Sequence, residues 1–534
     1  MDGSSRNARM VRHAFTMMLG TFASRILGLI REVLMAACFG ATRQLDAFYV
    51  AYTLANLSRQ LLAEGALSAS FVPVFSQVLA RDGKERAVHL ARQAMTVLLL
   101  LGVAVVLGGI VAAPLLVRLM APGFAPEIRA LAESLTRSLF PFLLFVSLGA
   151  LAMGVLNSLD SFFVPAVAPA LSNVTFIAVV LLFVPSLGIR GLVAAVLLGG
   201  LAQLLLQWGW NWKLGVPLFP ERPNRDDPEL RRMLVLFLPY AVGLSLNQVN
   251  PLVSRMLGSF LEGGVISVLN YADRVLQLPL GLFVVALSQA VLPMLSRIAP
   301  GENEEFMEFY RDALRFALFV VFPVVLGTVA CSREIVHVLF FRGAFDAWAW
   351  DATSGALSMY ALGLPGMACT TVTMRALYAR SRPRDALFVT ASSVTVNLGA
   401  SILLMSLFSY RGIALAASMA FTVSALVGYV RVRRFGGGAC EGRNRLFSLE
   451  WGKPVGISLA FTTAMILLWK FLLPYPSTAS LTLRLLWLGG VACMGGAVYA
   501  LVTRRLQCRE WEWVRSALRR RGVSESEVSR KNRP

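Results

Sequence analysis

Four arginines fall inside long apolar segments of this 534-residue chain, where a charged side chain is costly. Arg25 and Arg31 lie in the first apolar segment, Arg59 in the second and Arg274 in the eighth. At the helical rise per residue, Arg25 lies about 16 Å into its segment, near the middle of a bilayer. An arginine there costs from about 2.5 to more than 10 kcal/mol, so each of these residues is a candidate for function.

The guanidinium group indicates the chemistry. Its planar fork of donors matches the oxygens of a phosphate or carboxylate, and it stays charged at any relevant pH. We therefore expect a hydrated cavity that is lined by Arg25, Arg31, Arg59 and Arg274 and binds an anionic substrate. A cavity for cationic compounds would carry carboxylates instead. Polar neighbours are expected to support the cavity, and these are Ser24, Glu32, Asp46, Asn56, Glu64 and Asp273.

The alternative is that carboxylates within the membrane neutralise the arginines. The candidates are Glu32, Glu64, Asp273 and, nearer the rim, Asp46. Adjacent residues on a helix do not face each other, so Asp273 is not expected to pair with its neighbour Arg274. Pairing between helices remains open at the level of the sequence.

The composition identifies the elements that must position these residues. Hydrophobic residues make up 57% of the chain and charged residues 15%, against about 25% charged residues in soluble proteins. The chain is therefore predicted to be an all-α polytopic membrane protein. Apolar windows of about 20 residues predict fourteen transmembrane helices, at 14–40, 46–78, 93–118, 138–158, 162–185, 191–213, 233–260, 264–296, 312–332, 353–379, 385–409, 412–431, 453–474 and 480–503.

Positive charge predicts the orientation of these helices. With the N-terminus in the cytoplasm, 34 of the 50 Lys and Arg residues fall on the cytoplasmic side and nine on the other. Both termini are then cytoplasmic. The net charge of +20 follows from this topology, so nucleic acid is not expected as a partner.

The chain also contains an internal repeat. Segment 66–76 (ALSASFVPVFS) matches segment 286–296 (ALSQAVLPMLS), and 190–192 (RGL) matches 411–413 (RGI) at nearly the same offset. A repeat of six helices predicts two parallel lobes around a central cationic cavity, which is a known plan for transporters. The predicted parts are an N-lobe at 1–215, a C-lobe at 230–434, two extra helices at 452–504 and a basic cytoplasmic tail at 505–534.

The sequence offers little support for an enzyme. The six cysteines are scattered without a CxxC pair, and the three histidines lie far apart, which argues against a disulfide framework or a metal site. No HExxH, GxSxG or P-loop motif is present. No cofactor is therefore predicted.

Several motifs resemble those of the MurJ (MviN) family, which belongs to the multidrug/oligosaccharidyl-lipid/polysaccharide exporter superfamily. The motifs are 24–32 (SRILGLIRE), 45–51 (LDAFYVA), 56–59 (NLSR), 63–66 (AEGA), 71–73 (FVP), 121–124 (APGF), 271–274 (YADR) and 341–345 (FRGAF). The resemblance covers predicted helices one to twelve. It implies a flippase that moves lipid II, an undecaprenyl-pyrophosphate-linked disaccharide pentapeptide, outward across the bacterial inner membrane.

The resemblance also implies roles for residues. Arg25, Arg31, Arg59 and Arg274 match the family's cavity arginines, and Asp46 matches a further acidic position. The last two helices would form a groove for the lipid tail. Some family members bind sodium in the second lobe. The positions that match their sodium ligands are Ser254, Asn397, Ser401 and Ala417. Only the asparagine is retained, so we expect no sodium site here.

Two other functions stay open on the sequence alone. The chain could export another prenyl-pyrophosphate-linked saccharide, or it could be a membrane scaffold that does not transport. The intramembrane arginines favour a transporter, because an idle cavity would have no reason to bear their cost. Lipid II and membrane lipids are the expected partners, and the cell-wall synthesis machinery is left as an open alternative.

Overall fold

The computed structural model describes residues 23–59, 66–224, 226–245, 249–299, 301–434, 449–511 and 513, and every element of regular secondary structure in these ranges is helical. In chain order the helices are α1 (23–39), α2 (Arg43–Arg59), α3 (Ala66–Arg81), α4 (Gly83–Met120), α5 (Pro126–Leu139), α6 (Phe142–Ser158), α7 (Phe163–Leu187), α8 (Ile189–Lys213), α9 (Pro228–Ser245), α10 (Val249–Gly258), α11 (Val265–Pro279), α12 (Ala286–Arg297), α13 (Asn303–Ala330), α14 (Ser332–Phe340), α15 (Ala347–Ala361), α16 (Leu364–Ala379), α17 (Pro383–Arg433), α18 (Leu449–Leu472) and α19 (Leu481–Arg505). A π-helical turn, Leu280–Val285, joins α11 to α12.

Within those ranges, eight helical segments are long and apolar enough to cross a membrane. Their outward faces are apolar, as in α4, where Leu107, Val111 and Leu115 are 58%, 81% and 60% exposed. A contiguous apolar surface of this kind is stable only against lipid or protein. The prediction of an all-α multi-pass membrane protein is therefore confirmed. The count of fourteen helices and the two six-helix lobes stay predictions.

The internal repeat has a counterpart in the backbone. Gly188, between α7 and α8, has φ 56° and ψ −134°. Ser409, 221 residues later, has φ 52° and ψ −134° at the sharp bend within α17. Asp160 and Ser381, also 221 residues apart, have φ 57° and 53°. Three of these four residues are not glycine, and positive φ angles are uncommon for such residues. Their recurrence at one offset therefore indicates that the two copies of the repeat share the same backbone turns. This offset is the one that the sequence predicts.

The contacts divide the chain into two compact units. Unit 1 comprises Met1–Tyr271 and Arg342–Ala349, and unit 2 comprises Ala272–Phe341 and Trp350–Pro534. The core of unit 1 brings together apolar residues from α3, α4, α6, α8 and α9. The core of unit 2 is built around α13 and α16, where Tyr310 is fully buried and its hydroxyl lies 2.7 Å from Thr373 Oγ1.

The linker at the predicted lobe boundary, between residues 215 and 230, is bonded to α4, and the lobe boundary itself stays a prediction. Thr96 Oγ1 donates to the Glu221 carbonyl at 2.7 Å and accepts from the Glu221 N–H at 2.8 Å. Arg86 pairs with the buried carboxylate of Asp227 at 2.6 Å. Asp227 also accepts from backbone N–H groups in the first turn of α9. The linker therefore keeps the start of α9 with unit 1.

Candidate functional site

Helix α1 presents two arginines to different surroundings. Arg25 is exposed, and it makes no hydrogen bond or ion pair with any residue in the described ranges. Arg31 lies about 120° further around the axis at 100° per residue. Its side chain is 16% exposed and lies over the ring of Phe176, 5.1 Å from the centroid. Of the two, Arg25 is the one that is free to bind a ligand in this state.

Arg31 is paired within its own helix. Its Nη2 atom lies 3.0 Å from Glu32 Oε1, and the Tyr49 hydroxyl donates to Glu32 Oε2 at 2.8 Å. Glu32 is only 5% exposed, and a buried charge of this kind is stable only when it is paired and hydrogen-bonded. The alternative of internal neutralisation therefore holds for Arg31. Sequence reasoning missed Tyr49, although it belongs to the 45–51 motif.

Of the other site residues predicted in the first two helices and the segment after them, the structure describes the side chains of Ser24 and Asn56. The Asn173 amide donates to the Ser24 carbonyl at 3.2 Å and to Ser24 Oγ at 3.5 Å, which ties α7 to α1. Asn56 is half-buried on α2. Arg59 is the last residue of α2, but its side chain lies outside the described part of the chain, as does Glu64.

Arg274 and Asp273 lie on α11, in unit 2, and share a neighbour that sequence reasoning missed. Gln277 donates from Nε2 to Asp273 Oδ2 at 2.6 Å and accepts from Arg274 Nη1 at 3.3 Å. The spacing of three and four residues could have indicated this bridge, since such residues lie side by side on a helix. The convergence of the four arginines on one cavity stays a prediction.

Asp46 organises the junction between α1 and α2. It is 3% exposed, and its carboxylate accepts from the Gly264 N–H at 2.6 Å and from both the N–H and the hydroxyl of Ser267 at 2.7 Å. These donors belong to the start of α11, so Asp46 caps that helix from more than 200 residues away. The Tyr271 hydroxyl donates to the Gly40 carbonyl at 2.8 Å. We call Gly40, Asp46, Gly264, Ser267 and Tyr271 the Asp46 cluster.

Two glycines allow the backbones of this region to approach. Gly264 has φ +97°, and a Cβ there would overlap the Ala41 carbonyl oxygen. Gly343, in the 341–345 motif, has φ +59°, and a Cβ there would overlap the Ala37 carbonyl oxygen. That same oxygen accepts from the Ala344 N–H at 2.8 Å. Positive φ angles favour glycine, so both the backbone conformation and the close contact require glycine at these two positions.

Four of the sequence motifs meet at this place in unit 1. The ring of Phe345 packs edge-on against Tyr271 at 5.7 Å, so the 341–345 and 271–274 motifs touch. In the 121–124 motif, the Gly123 N–H donates to Ser259 Oγ at 3.1 Å. A cavity of about 120 Å³ lies beside Asp46 and Gly123. Its size suits a few water molecules rather than a lipid head group, so the motifs build a structural junction here.

The positions that match a sodium site form hydrogen bonds among neutral groups. Ser401 Oγ donates to Asn397 Oδ1 at 3.4 Å, with both side chains buried. The Ser254 hydroxyl donates to the Asn250 carbonyl of its own helix at 3.3 Å. Ala417 offers no side-chain oxygen. None of these four residues supplies the charged oxygen that a hard cation prefers.

We therefore predict that sodium does not stabilise the protein specifically. The unfolding temperature of the purified protein should be the same in sodium chloride and in potassium chloride of equal ionic strength. The variant Asn397→Ala serves as the control. A stabilisation that is specific for sodium, and that disappears in Asn397→Ala, would show that the prediction is wrong.

Unit 2 contains a polar cluster where α14 meets the last two helices. His337 is 5% exposed, and its Nδ1 atom lies 2.9 Å from the Tyr475 hydroxyl and 3.5 Å from Arg484 Nη1. Since both neighbours can donate, Nδ1 acts as the acceptor of a neutral imidazole. Beside it, Lys470 pairs with Glu334 at 2.6 Å.

This cluster predicts a loss of stability in acid. Burial and the guanidinium of Arg484 lower the pKa of His337 below its usual range. Because the folded state favours the neutral imidazole, its contribution is present above the ordinary pKa of about 6.5 and is lost as the pH falls through the lowered pKa. The other ionisable groups facing it are Tyr475 and the Lys470–Glu334 pair.

Acidification from about pH 7 to about pH 5 should therefore lower the unfolding temperature of the wild type by about 2 °C more than that of His337→Gln. The glutamine is neutral throughout this range. Thermal unfolding of both proteins across the pH range provides the measurement. Parallel profiles would contradict the assignment of the proton to His337.

The fold is shared with solved transporters of one superfamily. A structure titled "Inward-facing conformation of a multidrug resistance MATE family transporter of the MOP superfamily" matches with a TM-score of 0.65 at 18% identity, and covers 81% of this chain and 100% of that chain. A structure titled "Lipid II flippase MurJ, inward closed conformation" matches with a TM-score of 0.76 at 26% identity, over 91% of this chain and 97% of that chain. The helices and these matches define a multi-pass membrane protein with the fold of solved transporters.

Sequence comparisons identify the family within this class. The family model described as lipid II flippase MurJ matches residues 35–487. A probable lipid II flippase MurJ from Rhizobium meliloti is 32% identical over 535 residues, which cover 96% of each chain. Another from Rhizobium tropici is 34% identical over 437 residues, which cover 80% of this chain and 81% of the relative. The chain belongs to the lipid II flippase MurJ family, whose members are transporters rather than enzymes.

Proposed function

We propose that this protein moves lipid II from the cytoplasmic to the outer leaflet of the bacterial inner membrane by alternating access. The observation that carries the proposal is Arg25, an exposed arginine within an apolar helix that has no carboxylate partner among the described residues. A cation with no internal partner at that depth is retained at a high cost unless a ligand uses it. The pyrophosphate of lipid II matches its donors.

In the inward-open state, the pyrophosphate enters between α1 and α11 and is held by Arg25 and Arg274, with Arg59 nearby. Arg31 joins them when it exchanges the carboxylate of Glu32 for the pyrophosphate. The supporting polar residues keep the cavity hydrated. The prenyl tail stays in lipid or in the groove of the last two helices, at 452–504. The N-lobe at 1–215 and the C-lobe at 230–434 then rock to open the cavity on the other side.

In this cycle, the hydrogen bonds of the Asp46 cluster keep the cavity closed on the outer side. In the two-lobe plan α11 belongs to the second lobe, so the hydrogen bonds of Asp46 to α11 connect the two lobes. They lie beside the C-terminal end of α1, whereas Arg25 lies near its N-terminal end. With both termini in the cytoplasm, the C-terminal end of α1 faces outward. Opening towards the outer leaflet then requires that these hydrogen bonds break.

The membrane potential, which is negative inside, favours outward movement of the substrate. It contributes about 2.3 kcal/mol per charge per 100 mV, and a pyrophosphate diester carries about two negative charges. The basic residues of the tail at 505–534 would attract the anionic inner surface of the membrane. The cell-wall synthesis machinery is a further proposed partner.

Depletion of the protein tests the function. Lipid II should accumulate on the cytoplasmic face of the membrane, and the wild-type gene should reverse this accumulation. Accumulation of a different prenyl-linked saccharide would favour the neighbouring exporter function. Unchanged distribution of all such lipids would favour the scaffold and overturn the proposal.

A further inference from the structure

The last two helices form a hairpin that is buried along narrow stripes. The buried positions described on α18 are Trp451, Val455, Ser458, Thr462 and Ile466. Those of α19 recur at every fourth residue and are Trp487, Val491, Gly495, Tyr499 and Thr503. The other faces are exposed and apolar, as at Phe461, Phe471 and Leu486. Lipid solvates such faces as well as protein does, so apolar burial contributes little to holding the hairpin in place. Specific contacts at its two ends must decide its position.

The end of the hairpin near residue 475 is fastened to α14 by the Lys470–Glu334 and His337–Tyr475 contacts. The opposite end is fastened by the chain that follows α19. There the Cys508 N–H donates to the Thr503 carbonyl at 3.1 Å, so the backbone turns after the last residues of α19. The first residues of the predicted basic tail are thus part of the fold.

Trp511 and Tyr499 connect this turn to α13. Trp511 Nε1 donates to Thr503 Oγ1 at 2.9 Å, and its ring packs edge-on against Phe319 at 6.3 Å. The Tyr499 hydroxyl donates to the Phe319 carbonyl at 2.9 Å. One turn of α13 therefore receives both α19 and the segment after it.

Glu510 joins the two ends of the hairpin sequence. It is 1% exposed, and its Oε1 atom accepts from Trp451 Nε1, near the start of α18, at 2.5 Å. Its Oε2 atom is buried without a partner among the described residues. Arg315 of α13 lies close enough for electrostatic attraction to Glu510. A buried carboxylate is stable only when it is hydrogen-bonded and lies near a cation, so the contacts of Glu510 with Trp451 and Arg315 fix this junction.

We propose that Glu510 and Trp511 are positioning residues for the lipid tail. They fasten the cytoplasmic end of the α18–α19 hairpin to α13 and so hold the groove of these helices ready for a long prenyl chain. The inference rests on the proposed function, in which the hairpin receives that chain. It adds that residues 506–511 determine how well a long tail is accommodated.

The native thiol of Cys508 reports on the fastening. It is 8% exposed, and burial together with the nearby Glu510 carboxylate raises the pKa of the Cys508 thiol to about 11. In a protein that keeps Cys508 as its only cysteine, a polar maleimide should label Trp451→Phe at least about tenfold faster than its parent. This variant loses the charge-assisted hydrogen bond and keeps the Glu510 carboxylate beside the thiol. Arg509→Ala, a change of an exposed neighbour, should label at the parent rate. Equal labelling of parent and Trp451→Phe would overturn the fastening.

The transport test varies the tail of the substrate. In proteoliposomes, Glu510→Ala should flip undecaprenyl lipid II about tenfold more slowly than the wild type, and should flip a short-tailed analogue at the wild-type rate. Equal losses for both substrates would mean a merely structural role and would contradict the inference. If Glu510→Ala does not accumulate, Trp451→Phe removes the donor of the same hydrogen bond and keeps an aromatic ring.

The wild type separates this inference from the proposed function. If the wild type flips both substrates with equal efficiency, the groove does not read tail length and the inference fails, while the flippase function stands. If the wild type flips neither substrate, the proposed function fails, and the labelling of Cys508 still decides whether Glu510 fastens the hairpin.

Discussion

Replacement of Arg25 by alanine is expected to abolish flipping while leaving the protein folded. Arg25 is exposed and pairs with no carboxylate in the described ranges, so its removal leaves no buried charge behind. The loss of a bidentate, charge-assisted contact with pyrophosphate should lower the rate of flipping at least about 100-fold. Growth with the variant as the sole copy, and flipping in proteoliposomes, measure the effect. Arg274→Ala should behave in the same way.

The controls for Arg25 distinguish charge from geometry. Arg25→Lys should also fail if the planar fork is needed, and should work if a positive charge alone suffices. Arg190→Ala, a change of an exposed arginine at the start of α8, should leave flipping intact. Arg31→Ala should instead cost stability, because it leaves the buried carboxylate of Glu32 without its cation. Normal growth on Arg25→Ala alone would show that the cavity hypothesis is wrong.

The second large effect is expected at Asp46. In Asp46→Ala, the N–H groups of Gly264 and Ser267 and the Ser267 hydroxyl lose their acceptor in a buried place. Each unsatisfied donor costs about 1–3 kcal/mol, so the closed junction should lose several kcal/mol. We expect a lower unfolding temperature and flipping reduced at least about tenfold, with Asp46→Asn intermediate because it keeps one acceptor oxygen.

A double-mutant cycle locates this effect. If Asp46 acts through Ser267, the variant that combines Asp46→Ala with Ser267→Ala should be little worse than Asp46→Ala alone. Glu262→Ala removes an exposed carboxylate near the same junction and should change neither property. Additive losses, or wild-type flipping in Asp46→Ala, would argue against the role of this cluster.

The local patterns of the sequence predicted much of this protein. Apolar windows predicted a chain of membrane helices, of which eight are long and apolar enough within the described residues. They did so because a single helix must present some 20 apolar residues to lipid and these are contiguous in the chain. Glycine and serine at the repeated turns, Gly188 and Ser409, lie at the offset that the repeat predicts. The intramembrane arginines were visible for the same reason, since a charge stands out against a continuous apolar background.

The tertiary structure decided which groups those charges meet. It showed that Glu32 forms an ion pair with Arg31, although adjacent residues were not expected to face each other. It also showed that the Tyr49 hydroxyl donates a hydrogen bond to Glu32. It also brought Asp46 to Gly264, and Glu510 to Trp451. Such contacts join residues that are distant along the chain, and they depend on how helices pack. Helix packing depends on how the side-chain ridges of one helix fit the grooves of another. The hydrophobic periodicity of a single segment does not predict that fit.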